Sequence, residues 1–193
     1  MKICIFGAAS YDINENYIKT VEQLGMALAK RGHSLVFGAG KNGLMGAAAR
    51  GVSSQNGEIF GVIPEFFKED KIEVIYQNCT ELIYTKTMAE RKAKMEDLAD
   101  AFIIVPGGIG TFEEFFEVLT LKQLGRHEKP IAVFDIDCYY KKLEEFLNFS
   151  ISQKFINESC KDLYCYTNSA EEVISYIEND DGVEYSVHEL KKG

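Results

Sequence analysis

The chain has 193 residues, of which 46% are hydrophobic and 12% aromatic, and its formal net charge is −9. This composition is typical of a folded globular domain and excludes a disordered chain. The acidic balance disfavours a general nucleic-acid binder, because phosphate backbones require a basic surface, and no segment approaches the ~20 apolar residues of a membrane span.

The five cysteines are scattered and form no CxxC pair, which predicts reduced thiols and a cytoplasmic protein. The apolar run at the N-terminus is too short for a signal peptide. The histidines His33, His127 and His188 show no ligand spacing, so we predict no metal site.

Short apolar runs alternate with segments of helical period, the pattern of a parallel sheet covered by helices. In chain order, the first half contains strand Lys2–Phe6, helix Glu15–Lys30, strand His33–Phe37, helix Ala47–Ser54, strand Glu58–Ile63, an irregular region with extended Ile72–Tyr76 and Leu82–Tyr84, and helix Thr87–Leu98. The second half contains strand Ala101–Val105, a helix that runs to about Leu124, strand Pro130–Phe134, helix Tyr139–Gln153, strand Asp162–Tyr166 and helix Ala170–Ile177.

This order predicts an α/β fold with one domain, a Rossmann-like parallel sheet flanked by helices on both faces. Residues 1–178 are the predicted domain, and residues 179–193 are a polar tail that we expect to be loosely held.

Two glycine-rich turns each follow a predicted strand and lead into a helix. Glycine lets backbone N–H groups approach an anion, and such turns meet at the carboxyl end of a parallel sheet. The first turn, Gly38–Gly46, contains the dinucleotide fingerprint Gly38-x-Gly40-x-x-Gly43, but it follows the second strand and lacks the acidic residue expected after the next strand. A nicotinamide cofactor is therefore weakly supported. Each turn alone is also explained as a plain connection; two in one sheet favour a binding crevice.

The second turn, Pro106–Glu114, is more informative. Gly107, Gly108 and Gly110 can form an anion nest, with the Thr111 hydroxyl at the start of the helix. Glu113, Glu114 and Glu117 follow at once, and acidic residues in a first helical turn commonly only complement the helix dipole.

Helical spacing distinguishes these three carboxylates. One apolar stripe consists of Phe112, Phe115, Phe116 and Leu119. Glu114 lies on a different stripe, with Val118 and Leu121. A helix that is apolar on two sides is expected between the sheet and another surface, such as a second subunit, so Glu114 is predicted to be an enclosed carboxylate beside a phosphate site. A buried carboxylate needs a counter-charge, and Arg91 and Lys92 offer one, although a basic pair on a helix more often faces solvent.

Four segments together resemble the LONELY GUY family of cytokinin riboside 5′-monophosphate phosphoribohydrolases, often mislabelled as lysine decarboxylases. They are Gly38–Gly46, Met88–Lys92, Pro106–Glu114 and Gln123–Pro130, and the resemblance runs from about Ile3 to Ile177. It implies a homodimer that hydrolyses the N-glycosidic bond of a nucleoside 5′-monophosphate to a free base and ribose 5-phosphate. We predict no cofactor and no nucleic-acid or membrane partner.

The resemblance implies catalytic roles for Arg91 and Glu114. It implies phosphate, ribose or other ligand contacts for Glu73, Lys92, Gly107, Gly108, Gly110, Thr111, Glu113 and Thr120. The predicted substrate contacts are completed by Ser10, Gly40, Gly43 and Met88, which lie on the turns and the helix that carry these motifs.

The chain departs from the family pattern at Ala39, at Ala89 and in the turn Gly7–Ser10, which leaves the preferred base open. The candidate substrates are AMP, an isopentenyl-type nucleotide or another substrate. Three alternative functions also stay open. They are a non-catalytic carrier of a nucleotide or of molybdenum cofactor, an NAD(P) oxidoreductase and a pyridoxal-phosphate lysine decarboxylase.

Overall fold

A computed structural model describes residues 1–69 and 74–180, and it confirms the predicted α/β fold. The strands are β1 Lys2–Phe6, β2 Ser34–Phe37, β3 Ile59–Pro64, β4 Glu81–Thr85, β5 Ala101–Ile104, β6 Ile131–Phe134 and β7 Cys165–Thr167. They form one parallel sheet in the order β4-β3-β2-β1-β5-β6-β7.

Helices cover both faces of this sheet. They are α1 Glu15–Lys30, α2 Gly43–Ser54, α3 Glu65–Glu69, α4 Met88–Leu98, α5 Ile109–Gln123, α6 Lys141–Ser152 and α7 Ala170–Asn179. The core on one face joins the sheet to α1, α2 and α7, and the core on the other face joins it to α4 and α5. Within the two described ranges, no helix is both long and apolar enough to cross a membrane.

The strand order reverses between β1 and β5, which are neighbours in the sheet although the 94 residues 7–100 separate them in the sequence. Their register pairs Ile3 with Ala101 and Phe6 with Ile104.

 

The backbone N–H of Ala8 donates to the carbonyl oxygen of Pro106 at 3.1 Å, so the segments that follow β1 and β5 stay hydrogen-bonded just beyond the sheet. Beyond that bond the loops diverge, and ligands of open parallel sheets bind at such a point.

Helix α1 has the bounds that its apolar stripe predicts. Val21, Leu24 and Leu28 are buried along one side, and the side chain of Asn14 caps the first turn. Gly25 lies on the same side, where an added Cβ would come within 2.4 Å of the carbonyl oxygen of Ala48. The glycine therefore allows α1 and α2 to pack with their backbones almost in contact.

Helix α2 begins four residues earlier than predicted, at Gly43 rather than Ala47. The carbonyl oxygen of Ala8 accepts hydrogen bonds from the N–H groups of Leu44 (2.8 Å) and Met45 (3.4 Å). Because this acceptor comes from a distant part of the chain, the local pattern of small residues did not reveal the start of the helix.

Three other predictions need correction. The predicted strand Asp162–Tyr166 is wrong over most of its length, because a 3₁₀ helix occupies Glu158–Leu163 and the strand begins at Cys165. The region predicted to be irregular contains the short helix α3. The predicted helix Tyr139–Gln153 begins at Lys141 and follows a 3₁₀ turn over Ile136–Cys138.

The extended segment predicted at Ile72–Tyr76 is described only from residue 74, where Ile75 forms an antiparallel bridge with Gly40. At the other end, α7 continues through Asn179, and the carboxylate of Asp180 lies 3.7 Å from the ammonium of Lys122. Residues 181–193 of the predicted tail lie outside the described residues.

Candidate active site

A cavity of about 170 Å³ lies where the loops after β1 and β5 diverge. It is lined by Ala8, Ser10, Ile13, Tyr17, Leu44, Pro106, Gly107, Gly108 and Tyr139. The fold thus brings together three predicted substrate contacts from distant parts of the sequence, namely Ser10, Gly107 and Gly108.

The backbone at the start of α5 presents a row of unused donors to this region. Gly108 is the N-cap residue, and no side chain caps the helix. Among the residues that the structure describes, the N–H groups of residues 107–111 donate no hydrogen bond. Gly108 and Gly110 are exposed, and an added Cβ at either position would meet no atom within 4 Å. Such donors at a helix N-terminus suit an anion.

Thr111 and Gly107 are packed against each other beneath this row. Thr111 is buried, and a Cβ added to Gly107 would lie 2.1 Å from its Oγ1 atom. Gly107 is therefore required by internal packing, whereas Gly108 and Gly110 leave space on the open side of the loop.

Arg91 is 5% exposed, which excludes the alternative of a solvated helix face. Its Nε donates to the carbonyl oxygen of Val62 and its Nη2 to that of Gly38, each at 3.2 Å. The guanidinium carbon lies 5.5 Å from the centre of the Phe67 ring, within cation–π range. A Cβ on Gly38 would lie 1.7 Å from Nη2, so this glycine of the first turn makes room for Arg91.

Glu114 lies one turn into α5 and is partly buried, as the stripe analysis predicts. Burial raises the pKa of its carboxyl to about 7, against the opposing effect of the Arg91 cation; the charges of Glu113 and Glu117 add to the rise, and that of Lys92 opposes it. Within the described part of the chain, its carboxylate makes no hydrogen bond or ion pair. A group with its pKa near neutrality is suited to proton transfer.

Lys92 joins α4 to α5. It is 16% exposed and pairs with the carboxylates of Glu113 and Glu117, the latter at 2.7 Å. Burial alone lowers the pKa of Lys92, but the hydrogen bonds with Glu113 and Glu117 raise it above its ordinary value. Lys92 is therefore held as an ammonium, and it fixes the first turns of α5 relative to α4.

The first glycine turn is used mainly within the protein. Gly43 is the first residue of α2, with φ of 60°, and an added Cβ would lie 2.3 Å from the carbonyl oxygen of Ala8. Because that oxygen also accepts the amides at the start of α2, this helix N-terminus has no free donor row like that of α5. Gly40 is buried, and it lines a second cavity of about 250 Å³ together with Ser10 and Lys41.

Two predicted contacts lie apart from the glycine loop of α5, and one lies outside the described residues. Thr120 lines a groove of about 500 Å³ that shares no lining residue with the cavity at Gly107. Met88 begins α4, with its sulfur 3.8 Å from Nη1 of Arg91. Glu73 belongs to residues 70–73, which the structure does not describe. In the described ranges, no group of three or more His, Cys, Asp or Glu side chains could hold a metal ion.

The sequence analysis missed the aromatic side of the cavity. Tyr139 and Tyr17 line it, with their ring centres 6.3 Å apart in an edge contact. The adjacent pair Tyr139–Tyr140, in the connection that follows β6, was a usable signal, because residues that follow a parallel strand lie at the ligand-binding edge of the sheet.

Known proteins resemble this chain in sequence. A family model described as "Possible lysine decarboxylase" matches residues 45–177. A cytokinin riboside 5′-monophosphate phosphoribohydrolase of Arabidopsis thaliana is 33% identical over 177 residues, which cover 92% of this chain and 82% of that protein. The enzyme of that description from Oryza sativa subsp. japonica, LOG, is 34% identical over 177 residues, covering 92% of this chain and 72% of the rice protein.

Solved structures with the same fold include two proteins that bind molybdenum cofactor. The molybdenum cofactor binding protein of Rippkaea orientalis superposes with a TM-score of 0.70 at 20% identity, covering 93% of this chain and 96% of that one. The molybdenum cofactor carrier protein of Chlamydomonas reinhardtii gives 0.70 at 21% identity, covering 92% and 95%. At these identities the likeness shows the fold alone.

Proposed function

Because the chain belongs to the LOG family, whose family model is described as possible lysine decarboxylase, we propose that it hydrolyses the N-glycosidic bond of nucleoside 5′-monophosphates. The products are a free base and ribose 5-phosphate. One observation carries the proposal: Glu114, a carboxyl with a pKa of about 7, follows one turn after the unused amides at the start of α5.

The 5′-phosphate binds at the N-terminus of α5. The N–H groups of residues 107–111 supply donors, and the helix dipole favours the negative charge. Phosphate binding holds the ribose in place, so that its anomeric carbon faces Glu114. Orientation of this kind accelerates a reaction because the reacting groups no longer have to find each other.

Glu114 performs the chemistry at the anomeric carbon. As the bond from C1′ to the base nitrogen breaks, its electron pair leaves with the base, which takes up a proton from solvent, and positive charge develops on the ribose. The ionised Glu114 stabilises that charge and accepts a proton from the water that attacks C1′. Its pKa of about 7 leaves a substantial ionised fraction at neutral pH while keeping the carboxylate basic enough to accept the proton.

Arg91 favours the ionised form of Glu114, which is the form that acts as a base. Burial alone favours the protonated carboxyl, and the Arg91 cation acts in the opposite direction. Hydrogen bonds to the carbonyl oxygens of Val62 and Gly38 fix the guanidinium beneath the site. The arrangement therefore supplies a positive charge that does not have to be ordered during the reaction.

Lysine decarboxylation by a pyridoxal-phosphate enzyme does not fit these residues. A lysine that forms a Schiff base must lose its proton, and enzymes promote this by lowering the lysine pKa. The pKa of Lys92 is raised instead, since its ammonium is held by Glu113 and Glu117. A dinucleotide site at Gly38–Gly43 is likewise disfavoured, because Gly38 packs on Arg91 and the carbonyl oxygen of Ala8 occupies the start of α2.

A homodimer is part of the proposal. The resemblance implies one, and a groove beside α5 exposes apolar side chains, among them Phe116 and Phe155. Thr120, a predicted ligand contact, lines this groove rather than the cavity at Gly107. We propose that a second copy packs against this groove and that Thr120 of one subunit then contributes to the site of the other.

The test is incubation with AMP, isopentenyladenosine 5′-monophosphate, GMP, IMP and CMP, with adenosine as the substrate that lacks phosphate. Released base is measured by chromatography. We expect release from one or more monophosphates and at least ~100-fold lower kcat/KM for adenosine. The Glu114→Gln variant should lose at least ~100-fold in kcat/KM.

Glu145→Gln is the matched control, since Glu145 lies on α6 and pairs with Lys142 away from the glycine loop. It should retain the activity of the unmodified protein. Release of base at an unchanged rate by Glu114→Gln, or equal turnover of AMP and adenosine, would contradict the proposal.

A further inference from the structure

Two adjacent tyrosines in the connection after β6 donate hydrogen bonds to the backbone of the segment that leads into α5. The Tyr139 hydroxyl donates to the carbonyl oxygen of Gly107 at 2.6 Å, and the Tyr140 hydroxyl donates to that of Val105 at 2.8 Å. We infer that Tyr139 is a positioning residue that orients the peptide between Gly107 and Gly108 for binding of a phosphate monoester. The inference rests on the phosphate site of the proposed function.

The peptide between Gly107 and Gly108 is planar and trans. In a trans peptide, the carbonyl of one residue and the N–H of the next point in opposite directions. The bond from Tyr139 draws the carbonyl of Gly107 to one side, so the N–H of Gly108 is fixed on the other side. If this peptide flipped, an oxygen atom would replace the N–H in the donor row and repel an anion.

The peptide between Gly107 and Gly108 needs a contact that fixes its orientation. Both residues that flank the peptide are glycines, whose backbone rotates more freely than that of other residues. An added Cβ at Gly108 would meet no atom within 4 Å, so packing of the protein does not restrict that side. The preceding carbonyls are held separately, that of Pro106 by the N–H of Ala8 and that of Val105 by Tyr140.

The turn that carries Tyr139 is strained, and several contacts maintain it. Asp137 and Cys138 both have left-handed backbone conformations, with φ of 53° and 58°. The side chain of Asn16 donates to Oδ2 of Asp137 at 2.6 Å, and the backbone N–H of Tyr140 donates to Oδ1 of Asp135 at 2.7 Å. Such strain persists where surrounding contacts over-determine the conformation.

Tyr139 acts through the backbone of Gly107. A tyrosine hydroxyl has one proton to donate, and in this structure that proton goes to the Gly107 carbonyl. The ring is 42% exposed, so removal of the hydroxyl removes one hydrogen bond without opening a space in the core.

The test compares Tyr139→Phe with Tyr84→Phe. Tyr84 lies on β4 with a similar exposure of 45%, so it controls for loss of a tyrosine hydroxyl elsewhere on the surface. Calorimetry gives the Kd of ribose 5-phosphate and of adenosine, and the Kd of AMP is measured in proteins that also carry Glu114→Gln so that AMP is not consumed. Thermal unfolding gives the Tm. We expect Tyr139→Phe to raise the Kd of ribose 5-phosphate and AMP by about 5- to 10-fold, because the peptide between Gly107 and Gly108 is no longer held in the orientation that binds the anion. The Kd of adenosine should stay unchanged, and the Tm should fall by no more than about 2–4 °C, the effect of one lost hydrogen bond.

An unchanged Kd for both phosphates overturns the inference, as does equal weakening of adenosine, which would assign Tyr139 a direct contact with the nucleoside. Failure of the unmodified protein to bind either phosphate also overturns it. Binding of ribose 5-phosphate needs no turnover, so a protein that binds it but releases no base would contradict the proposed hydrolysis and leave the role of Tyr139 supported.

Discussion

Glu114 occupies a position where its ionised form is costly to the fold. Burial raises the pKa of its carboxyl from the ordinary value of 4.5 to about 7. The unfolded chain therefore loses this proton at a lower pH than the folded chain does. The protonated Glu114 therefore contributes its full share to the free energy of unfolding below pH 4.5, and this contribution is lost as the pH rises through 7.

This linkage predicts that Glu114→Gln stabilises the protein at high pH. Glutamine resembles the protonated carboxyl in shape and stays neutral, so the variant should match the unmodified protein near pH 4.5 and exceed its unfolding free energy by up to about 3 kcal/mol above pH 8. Denaturant unfolding at a series of pH values measures the difference. Glu145→Gln serves as the control and should give no such gain, and a gain for Glu114→Gln that is independent of pH would count against the raised pKa.

The same pKa predicts the acidic limb of the activity profile. If ionised Glu114 accepts the proton from water, kcat/KM should fall about tenfold per pH unit well below pH 7 and level off above pH 8. Lys92→Met should move this limb to higher pH by about half a unit to one unit. The Lys92 charge lowers the pKa of Glu114, and its removal also leaves the charges of Glu113 and Glu117, which raise it, without their partner.

A pH series with AMP, read as kcat/KM for both proteins, is the measurement. The phosphate group of the substrate also titrates near pH 6, but that limb does not depend on Lys92. An identical profile for Lys92→Met would therefore assign the limb to the substrate rather than to Glu114.

The sequence predicted Glu114 better than it predicted Arg91. Helical spacing alone places Glu114 on an apolar stripe of α5, and its enclosure follows from that. Nothing local distinguishes Arg91 from a solvated arginine, because its partners Val62 and Gly38 are far away in sequence. The resemblance to a family supplied its role.

The two glycines at the start of α5 have different functions in this element, which leads to opposite expectations for alanine. A Cβ at Gly108 meets no atom within 4 Å, so Gly108→Ala should keep its stability within about 0.5 kcal/mol. If the phosphate approaches the backbone at Gly108, the added methyl group should obstruct it, and we expect the Kd of ribose 5-phosphate to rise by about tenfold or more. A Cβ at Gly107 would lie 2.1 Å from Oγ1 of Thr111, so Gly107→Ala should lower the free energy of unfolding by about 1–3 kcal/mol.

Thermal unfolding and calorimetric titration of the two variants separate these effects. Gly107→Ala is the control, because it adds the same methyl group to the same loop at a position where the group clashes with Thr111. If Gly108→Ala binds ribose 5-phosphate as tightly as the unmodified protein does, the phosphate does not approach the backbone at that residue.

Elements with a continuous apolar stripe were predictable, and those fixed by distant contacts were not. Helix α1 has its predicted bounds because local spacing and the Asn14 cap define both its face and its start. The start of α2 depends on the carbonyl oxygen of Ala8, and α3 has only five residues, too few for a period to be recognised. The link from Tyr139 to Gly107 joins residues of different loops, and no spacing rule connects them.

At the scale of the whole molecule, the reversal of strand order between β1 and β5 places the site. Alternation of strands and helices predicted the parallel sheet, and the two glycine turns predicted a crevice at its carboxyl edge. Which turn would bind an anion depends on the sheet order, because Ala8 at the end of β1 reaches α2 and leaves the start of α5 open. That order becomes available only with the structure.

The exposed apolar groove beside α5 leads us to expect a dimer. Phe155 is 87% exposed and Phe116 is 37% exposed, and both line the groove of about 500 Å³. Exposed apolar surface of this kind marks interaction sites. We expect the protein to sediment with about twice the mass of one 21.7 kDa chain, and Phe155→Asp to shift it toward the monomer at micromolar concentration, because a charge buried at the interface is costly.

Phe146→Asp is the matched control, since Phe146 is also exposed, at 62%, but does not line the groove. It should leave the sedimentation coefficient unchanged. Because Thr120 lines the groove, the weakened dimer of the Phe155→Asp variant should also lose activity as it is diluted, in step with the fraction of monomer. A chain that sediments as a monomer before any substitution, with full activity, would place Thr120 outside the site and show that one subunit is sufficient for catalysis.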